Sequence, residues 1–225
     1  MGKIWYLSPS NQSANIGAGN YGSEKEQMNL LADEIIPHLD RAGVSFHRGD
    51  PEMSIQDRVK ESKEMKAGFH LALHSNAGGN GTARGPVAYY YSDTGKAFAE
   101  KMVDALLTLK PENNRSANLA QNKTFYELKK TTAPACLLEV DFHDNPKGAE
   151  YMIRNRSEIA EQIARVIIEA DGKTFVPVTG GEYIDRAIKL GLFPRDTNWN
   201  DALSKEEAAI ILMRLLDTIR GEVKM

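Results

Sequence analysis

The sequence predicts an α/β fold: a single, mostly parallel, twisted sheet of about six strands with helices on both faces, plus a small C-terminal helical module. Two patterns predict it. Short apolar runs alternate along the chain with segments of helical period, which is the order of strands and helices in α/β domains. The apolar runs also lack alternation between apolar and polar residues, as expected for strands covered by helices on both faces.

Five short apolar runs are predicted as strands, and each is bounded by turn-forming residues. The first run enters a loop that starts with Ser8, Pro9 and Ser10, and the third ends at His74. The runs cover residues 4–7, 44–47, 69–74, 87–91 and 135–140.

Four longer segments are predicted as helices because apolar residues recur in them at intervals of three and four. The first begins after Ser23, a typical N-cap residue, and ends at Gly43. The segments cover residues 24–42, 54–66, 97–109 and 149–170.

A change in composition divides the chain. Residues 1–170 form the predicted α/β domain, which would carry any catalytic site. Glycine and proline cluster at residues 171–182, which are therefore predicted to be a linker. Residues 183–225 contain two short helical patterns and are predicted to form the small helical module.

The composition excludes several classes of function. The chain has 28 basic and 31 acidic residues, a net charge of −3, so no overall positive field would attract nucleic acid. No run approaches the roughly 18 apolar residues of a membrane span, and the N-terminus turns polar too soon for a signal peptide. We expect synthesis in the cytoplasm without a signal peptide and no membrane insertion. The single cysteine, Cys136, lies in an apolar run and is predicted to be a buried small hydrophobe.

Two polar residues lie where strands and helices meet loops. His74 ends an apolar strand and precedes small, flexible residues, so its ring could face a cleft. Glu24 lies in the first turn of a helix after a glycine-rich loop. Each residue also has a structural interpretation: a core histidine in the first case and favourable pairing with the helix dipole in the second.

Glu139 has a stronger claim to function. It lies inside or at the end of an apolar strand, where an unpaired carboxylate costs several kcal/mol. A raised pKa would suit such a group to general base catalysis.

His143 follows Glu139 by four residues and is a candidate ligand, although its segment could simply form a turn. His70 lies on the same strand as His74 but roughly 13 Å from it, at about 3.3 Å per residue, and we expect it to be a core histidine.

Glu24, His74 and Glu139 together make a zinc hydrolase a plausible function. Zn²⁺ accepts histidine nitrogen and carboxylate oxygen, and catalytic sites leave one position for water. A metal-bound water loses its proton near neutral pH, and a free carboxylate nearby can take it.

Five short motifs occur in the order typical of one enzyme family. They are Ile4-Trp5-Tyr6-Leu7-Ser8-Pro9; Gly17-Ala18 with Glu24-Lys25-Glu26-Gln27-Met28-Asn29; His74-Ser75-Asn76-Ala77; Gly85-Pro86-Val87-Ala88-Tyr89-Tyr90-Tyr91; and Pro134-Ala135-Cys136-Leu137-Leu138-Glu139 with Asn145-Pro146 beyond. In these motifs residues 3–170 resemble the zinc-dependent N-acetylmuramoyl-L-alanine amidases of the amidase 3 type.

The resemblance implies a six-stranded α/β domain that holds Zn²⁺ on two histidines and one glutamate. It also implies hydrolysis of the bond between N-acetylmuramic acid and the L-alanine of the peptidoglycan stem peptide. Glu24 and His74 match two zinc ligands, and Glu139 matches the catalytic glutamate. Asn76 and Arg58 are candidates for positioning the substrate.

One ligand of the family is missing. The family's first histidine follows Pro-Gly after the first strand, and counting without gaps from Pro9 puts Asn11 at that position. Asn11 is the alternative third ligand to His143 through its amide oxygen, although a carboxamide is a poor zinc ligand beside imidazole. Three outcomes stay open: His143 completes the site, two protein ligands hold a weaker metal, or the site is degenerate.

The leading hypothesis is a phage or prophage lysin that a separate holin releases to the cell wall, and a mother-cell autolysin fits as well. Two other functions are alternatives: an inactive amidase scaffold that binds peptidoglycan, and a zinc carboxypeptidase-like peptidase. The C-terminal module is faintly similar to a wall-binding unit, and a helical hairpin packed on the catalytic domain is its alternative.

Overall fold

The computed structural model describes residues 3–78 and 80–177. These form one sheet of six strands covered by helices, which confirms the predicted α/β fold. The strands are β1 Trp5–Pro9, β2 Phe46–Arg48, β3 Phe69–Asn76, β4 Val87–Tyr90, β5 Leu119–Gln121 and β6 Ala135–Phe142. The helices are α1 Glu24–Arg41, α2 Ile55–Glu64, α3 Asp93–Thr108, α4 Tyr126–Lys130, α5 Pro146–Arg154 and α6 Arg156–Ala170.

The strand order is β2-β1-β3-β6-β4-β5. All neighbouring pairs are parallel except β4 and β6, which are antiparallel. The register of β3 and β6 places His74 directly opposite Glu139. Two of the three residues proposed for a zinc hydrolase, His74 and Glu139, therefore lie side by side toward the carboxyl ends of central parallel strands. Sheets of this kind bind their ligands at that edge.

The two faces of the sheet carry different helices. Leu71 and Leu73 of β3 belong to the large core, to which α1, α3 and α6 contribute. Ala72 of the same strand and Leu137 of β6 face the other way and pack against Leu128 of α4. Because side chains alternate along a strand, His70 and His74 share this second face with Ala72.

The structure differs from the predicted elements at several places. The predicted helix 149–170 is two helices, since the backbone leaves helical geometry at Asn155. α5 starts earlier than predicted because the side chain of Asn145 caps the amides of Lys147 and Gly148, with Pro146 at the first helical position. The short elements β5 and α4 were not predicted, because three and five residues are too few to show a period.

The start of the predicted linker packs on the α/β domain. Phe175 is buried, and its ring stacks on His38 while the Arg165 guanidinium lies over it. The rest of the predicted linker and the module at 183–225 lie outside the described residues, so that division stays a prediction. In the part of the chain that the structure describes, no helix is long and apolar enough to cross a membrane.

Candidate active site

The site is built around a contact between His74 and Glu24. Glu24 begins α1, which the Ser23 hydroxyl caps, and His74 lies near the end of β3. The distance from His74 Nδ1 to Glu24 Oε1 is 2.7 Å, and both side chains are buried. Burial alone would raise the pKa of Glu24, but its contacts with His74 and Asn15 hold that pKa below its usual value.

The loop between β1 and α1 adds two amides to this pair. Gln12 Nε2 lies 3.2 Å from His74 Nδ1 and 3.4 Å from Glu24 Oε1. Asn15 Nδ2 donates to Glu24 Oε2 at 2.7 Å and to Gln12 Oε1 at 2.9 Å. A carboxylate, an imidazole and a carboxamide therefore converge on one point.

Glu139 of β6 is paired with His74 of β3 in the register of the two strands. Its Oε2 atom is buried and has no hydrogen-bond partner among the described residues. Burial raises the pKa of Glu139 to about 7; His74 opposes this rise and Glu24 adds to it. A carboxylate with a free oxygen and a pKa near neutrality has the properties of a general base.

A second carboxylate, Glu127 of α4, lies on the other side of the His74 ring. Its Oε2 is 3.6 Å from His74 Nε2, and its Oε1 is 3.0 Å from His70 Nε2 and 2.5 Å from the Ser8 hydroxyl. Burial would lower the pKa of His74, but Glu127 and Glu24 together raise it to about 10. The two carboxylates beside the ring therefore favour the protonated form of His74 in the metal-free protein.

These groups open into a cleft with roughly 510 Å³ of empty space, part of it open to solvent. Its walls combine ionisable and apolar side chains, a composition typical of enzyme sites. The lining residues are Gln12, Ile55, His74, Phe125, Tyr126, Glu127, Leu137 and Glu139.

The structure does not bring His143 or Asn11 to this cluster. His143 Nδ1 lies 2.9 Å from the Ser75 hydroxyl, and the ring stacks on Tyr21. Since Ser75 follows His74 in β3, its side chain points to the opposite face of the sheet. Asn11 donates its amide to the Met53 carbonyl instead. The residue that stands beside the metal-binding candidates is Gln12.

The two candidate substrate residues have contacts within the protein. Arg58 is 1% exposed, and its guanidinium donates to the carbonyls of Pro9 and Asp50 and to the Ser8 hydroxyl. Asn76 accepts the backbone amide of Ala77 through its side chain. Arg58 therefore links the end of β1 to the segment after β2, and it is not among the residues that line the cleft.

Comparison with known proteins decides the family. Residues 9–169, more than two thirds of the chain, match the family described as N-acetylmuramoyl-L-alanine amidase, of the amidase 3 type. The chain belongs to this amidase family. The match confirms the resemblance that the sequence motifs indicated.

Individual relatives of this amidase-family chain are more distant. The probable cell wall amidase LytH of Staphylococcus aureus is 27% identical over 175 residues, which is 75% of this chain and 55% of LytH. The chain thus spans little more than half the length of that relative.

Solved structures share the fold. The catalytic domain of the amidase CwlV from Bacillus (Paenibacillus) polymyxa var. colistinus has a TM-score of 0.68 at 22% identity, covering 76% of this chain and 99% of that domain. The amidase AmiC2 of Nostoc punctiforme has a TM-score of 0.65 at 22% identity, covering 75% of this chain and 96% of AmiC2.

The amidase 3 family is generally zinc-dependent, and the residues of this site fit a divalent cation with an altered donor set. His74 Nδ1 and Glu24 Oε1 are strong metal ligands that face each other. The third side chain, Gln12, points its Nε2 at them, and its carboxamide would have to rotate, breaking the bond from Asn15 to Oε1, to bring a ligating oxygen to the site. Within residues 3–78 and 80–177, no group of three His, Cys, Asp or Glu side chains is arranged to hold a metal. The fit therefore depends on Gln12.

Sequence reasoning missed Gln12 and Glu127. Gln12 lies in a loop without periodicity, one position beyond Asn11, the residue reached by counting without gaps from Pro9. Glu127 could have been recognised from the sequence. It lies among the large apolar side chains of Phe125, Tyr126 and Leu128, where a solvent-exposed acid is not expected.

Proposed function

We propose that this chain hydrolyses the amide bond between N-acetylmuramic acid and L-alanine in peptidoglycan in a metal-dependent reaction. The observation that carries the proposal is the unpartnered Oε2 of Glu139 opposite the Glu24–His74 pair, within a segment that matches the amidase family. The proposed place of action is the bacterial cell wall, because the LytH relative is a probable cell wall amidase.

Glu24, His74 and Gln12 are proposed to hold the metal. When bound, a divalent cation polarises the scissile carbonyl and makes water more acidic. In this proposal Glu139 takes a proton from the attacking water as the new C–O bond forms. It then gives that proton to the nitrogen of L-alanine as the C–N bond breaks. The products are the lactyl carboxylate of N-acetylmuramic acid and a stem peptide with a free amino terminus.

The cleft walls support a substrate with small apolar groups beside the scissile bond. Ile55, Phe125 and Leu137 line the cleft together with Glu139. Apolar walls limit the access of bulk water to the reacting atoms and keep the Glu139 carboxyl poorly solvated. The lactyl methyl and the alanine methyl are groups of the kind that such walls accommodate.

The test is a measurement of new amino termini in purified peptidoglycan. With Zn²⁺ or Mn²⁺ supplied, we expect new amino-terminal L-alanine, and we expect none with a chelator or with Glu139→Gln. No new L-alanine termini under any divalent metal would contradict the amidase proposal. Release of free C-terminal amino acids would instead support the carboxypeptidase-like alternative.

One observation favours a second candidate function, an inactive scaffold that binds peptidoglycan. Beside Glu24 and His74 stands the carboxamide of Gln12, whereas the family resemblance implies a second histidine in the site. This candidate predicts that the protein sediments with purified walls yet produces no new termini. Sedimentation and terminus analysis on the same sample distinguish the two functions.

A further inference from the structure

We propose that Glu127 is a positioning residue, which holds the Nε2 side of the His74 ring so that Nδ1 faces Glu24 and the metal. This inference rests on the proposed metal-dependent function. It adds a residue that belongs to none of the sequence motifs by which the family was recognised.

The two ring nitrogens of His74 face different carboxylates. Nδ1 points to Glu24 at 2.7 Å and to Gln12, and Nε2 points to Glu127 at 3.6 Å. A distance of 3.6 Å is an ion-pair contact rather than a hydrogen bond. Contacts of catalytic groups are often long before a ligand binds and shorten afterwards.

Glu127 is itself held in a fixed orientation. Its Oε1 accepts from the Ser8 hydroxyl of β1 at 2.5 Å and contacts His70 Nε2 of β3 at 3.0 Å. His70 Nδ1 is in turn 3.1 Å from the Ser62 hydroxyl of α2. Because these contacts occupy Oε1, the other oxygen of Glu127 is available to His74.

The position of Glu127 favours a positioning role over a ligand role. A direct ligand would have to share the Nδ1 side of His74 with Glu24, and Glu127 lies on the opposite side. Metal-binding histidines typically donate their second ring N–H to a carboxylate, which fixes the tautomer and makes the ring a better donor. Burying the Glu127 carboxylate also costs free energy. An acidic residue without a role in the site would be expected on the solvent-exposed side of its helix.

The experiment measures metal affinity, by competition with a chromophoric chelator, for the full chain and for Glu127→Gln. Loss of such a partner typically weakens metal binding by about 10–100-fold, and we expect a loss in that range. Glu127→Asp, which keeps the charge, should recover part of the affinity. Glu112→Gln removes a carboxylate that pairs with Arg84 and Lys147 away from the cleft, and it should bind metal as the unmodified chain does.

A second readout separates positioning from general loosening of the fold. In ¹⁵N-resolved imidazole spectra of the metal-loaded protein, His74 should show a single tautomer with the proton on Nε2. In Glu127→Gln this proton signal should shift or broaden. Leu128→Ala, which deletes the adjacent buried side chain, should lower the thermal unfolding midpoint but leave the signal unchanged.

Two results would overturn the inference in different ways. If Glu127→Gln binds metal as tightly as the unmodified chain and keeps its His74 signal, Glu127 has no positioning role, while the proposed amidase function stands. If the unmodified chain neither binds metal nor forms new L-alanine termini, the proposed function fails and the positioning role fails with it.

Discussion

The amide nitrogen of Gln12 lies 3.2 Å from Nδ1 of His74, at the point where that ring also meets the Glu24 carboxylate. A carboxamide thus occupies the position beside the two strongest candidate metal ligands. With its oxygen rotated toward the pair, this carboxamide, like the Glu24 carboxylate, suits harder cations such as Mn²⁺ and Mg²⁺, whereas imidazole favours Zn²⁺.

The first prediction follows from this contact. Gln12→His should tighten zinc binding by about 10-fold or more, because imidazole is a better zinc donor than a carboxamide. Asn11→His is the matched control: Asn11 donates to the Met53 carbonyl, so the same change one residue earlier should leave zinc affinity unchanged. Competition titration of both variants measures the zinc affinity. A larger effect from Asn11→His would show that Asn11, and not Gln12, lies at the metal site.

Glu139→Gln should lower the rate of L-alanine terminus formation by about 10²–10⁴-fold, the usual contribution of a general base. The amide keeps the size of the side chain but cannot take a proton. Metal affinity should remain at the level of the unmodified chain, since Glu139 is not among the proposed ligands. A variant that retains full activity would show that another group takes the proton from water.

Glu139 should also make the metal-free protein less stable as the pH rises. Its pKa is about 7 in the folded protein against an ordinary 4.5, so the folded state binds the proton more tightly than the unfolded state. Stability is therefore lost between pH 4.5 and 7 and stays lost above pH 7.

Glu139→Gln removes this dependence. With chelator present, the thermal unfolding midpoint of Glu139→Gln should exceed that of the unmodified chain by more at pH 8 than at pH 5. The difference between the two chains should grow by roughly 5–10 °C over this range, which corresponds to a cost of about 2–3 kcal/mol. An equal difference at the two pH values would mean that Glu139 ionises freely in the folded protein.

Arg58 should matter for stability rather than for substrate binding. Arg58→Met leaves the Pro9 and Asp50 carbonyls without their buried donor, at a cost of about 3 kcal/mol. We expect a fall in the unfolding midpoint of roughly 5–10 °C, with the apparent KM for peptidoglycan fragments unchanged. A rise in KM without loss of stability would return Arg58 to the substrate-binding role that the sequence predicted.

The predictable part of the site comes from residues at element boundaries. Glu24 follows an N-cap serine, and His74 and Glu139 end or interrupt apolar strands, so each was visible from pattern alone. Their proximity followed from the rule that parallel strands share a carboxyl edge. The fold class was predictable for the same reason, since strands and helices alternate along the chain.

The less predictable part depends on orientation. His143 follows β6, but its ring lies against Ser75 on the other face of the sheet, which a count of residues does not show. Glu127 lies on a helix of five residues, whose neighbours are set by its packing against β6 and α2. Gln12 lies in a loop whose path is set by contacts such as the one between Asn11 and Met53.

The most direct test of the site is a crystal structure of the full chain soaked with Zn²⁺ or Mn²⁺, with the ion located by anomalous scattering. We predict one ion on His74 Nδ1, Glu24 and Gln12, with Glu139 facing it and Glu127 on the Nε2 side of His74. An ion bound to His143 or Asn11, or held between His74 Nε2 and Glu127, would contradict this assignment of the site.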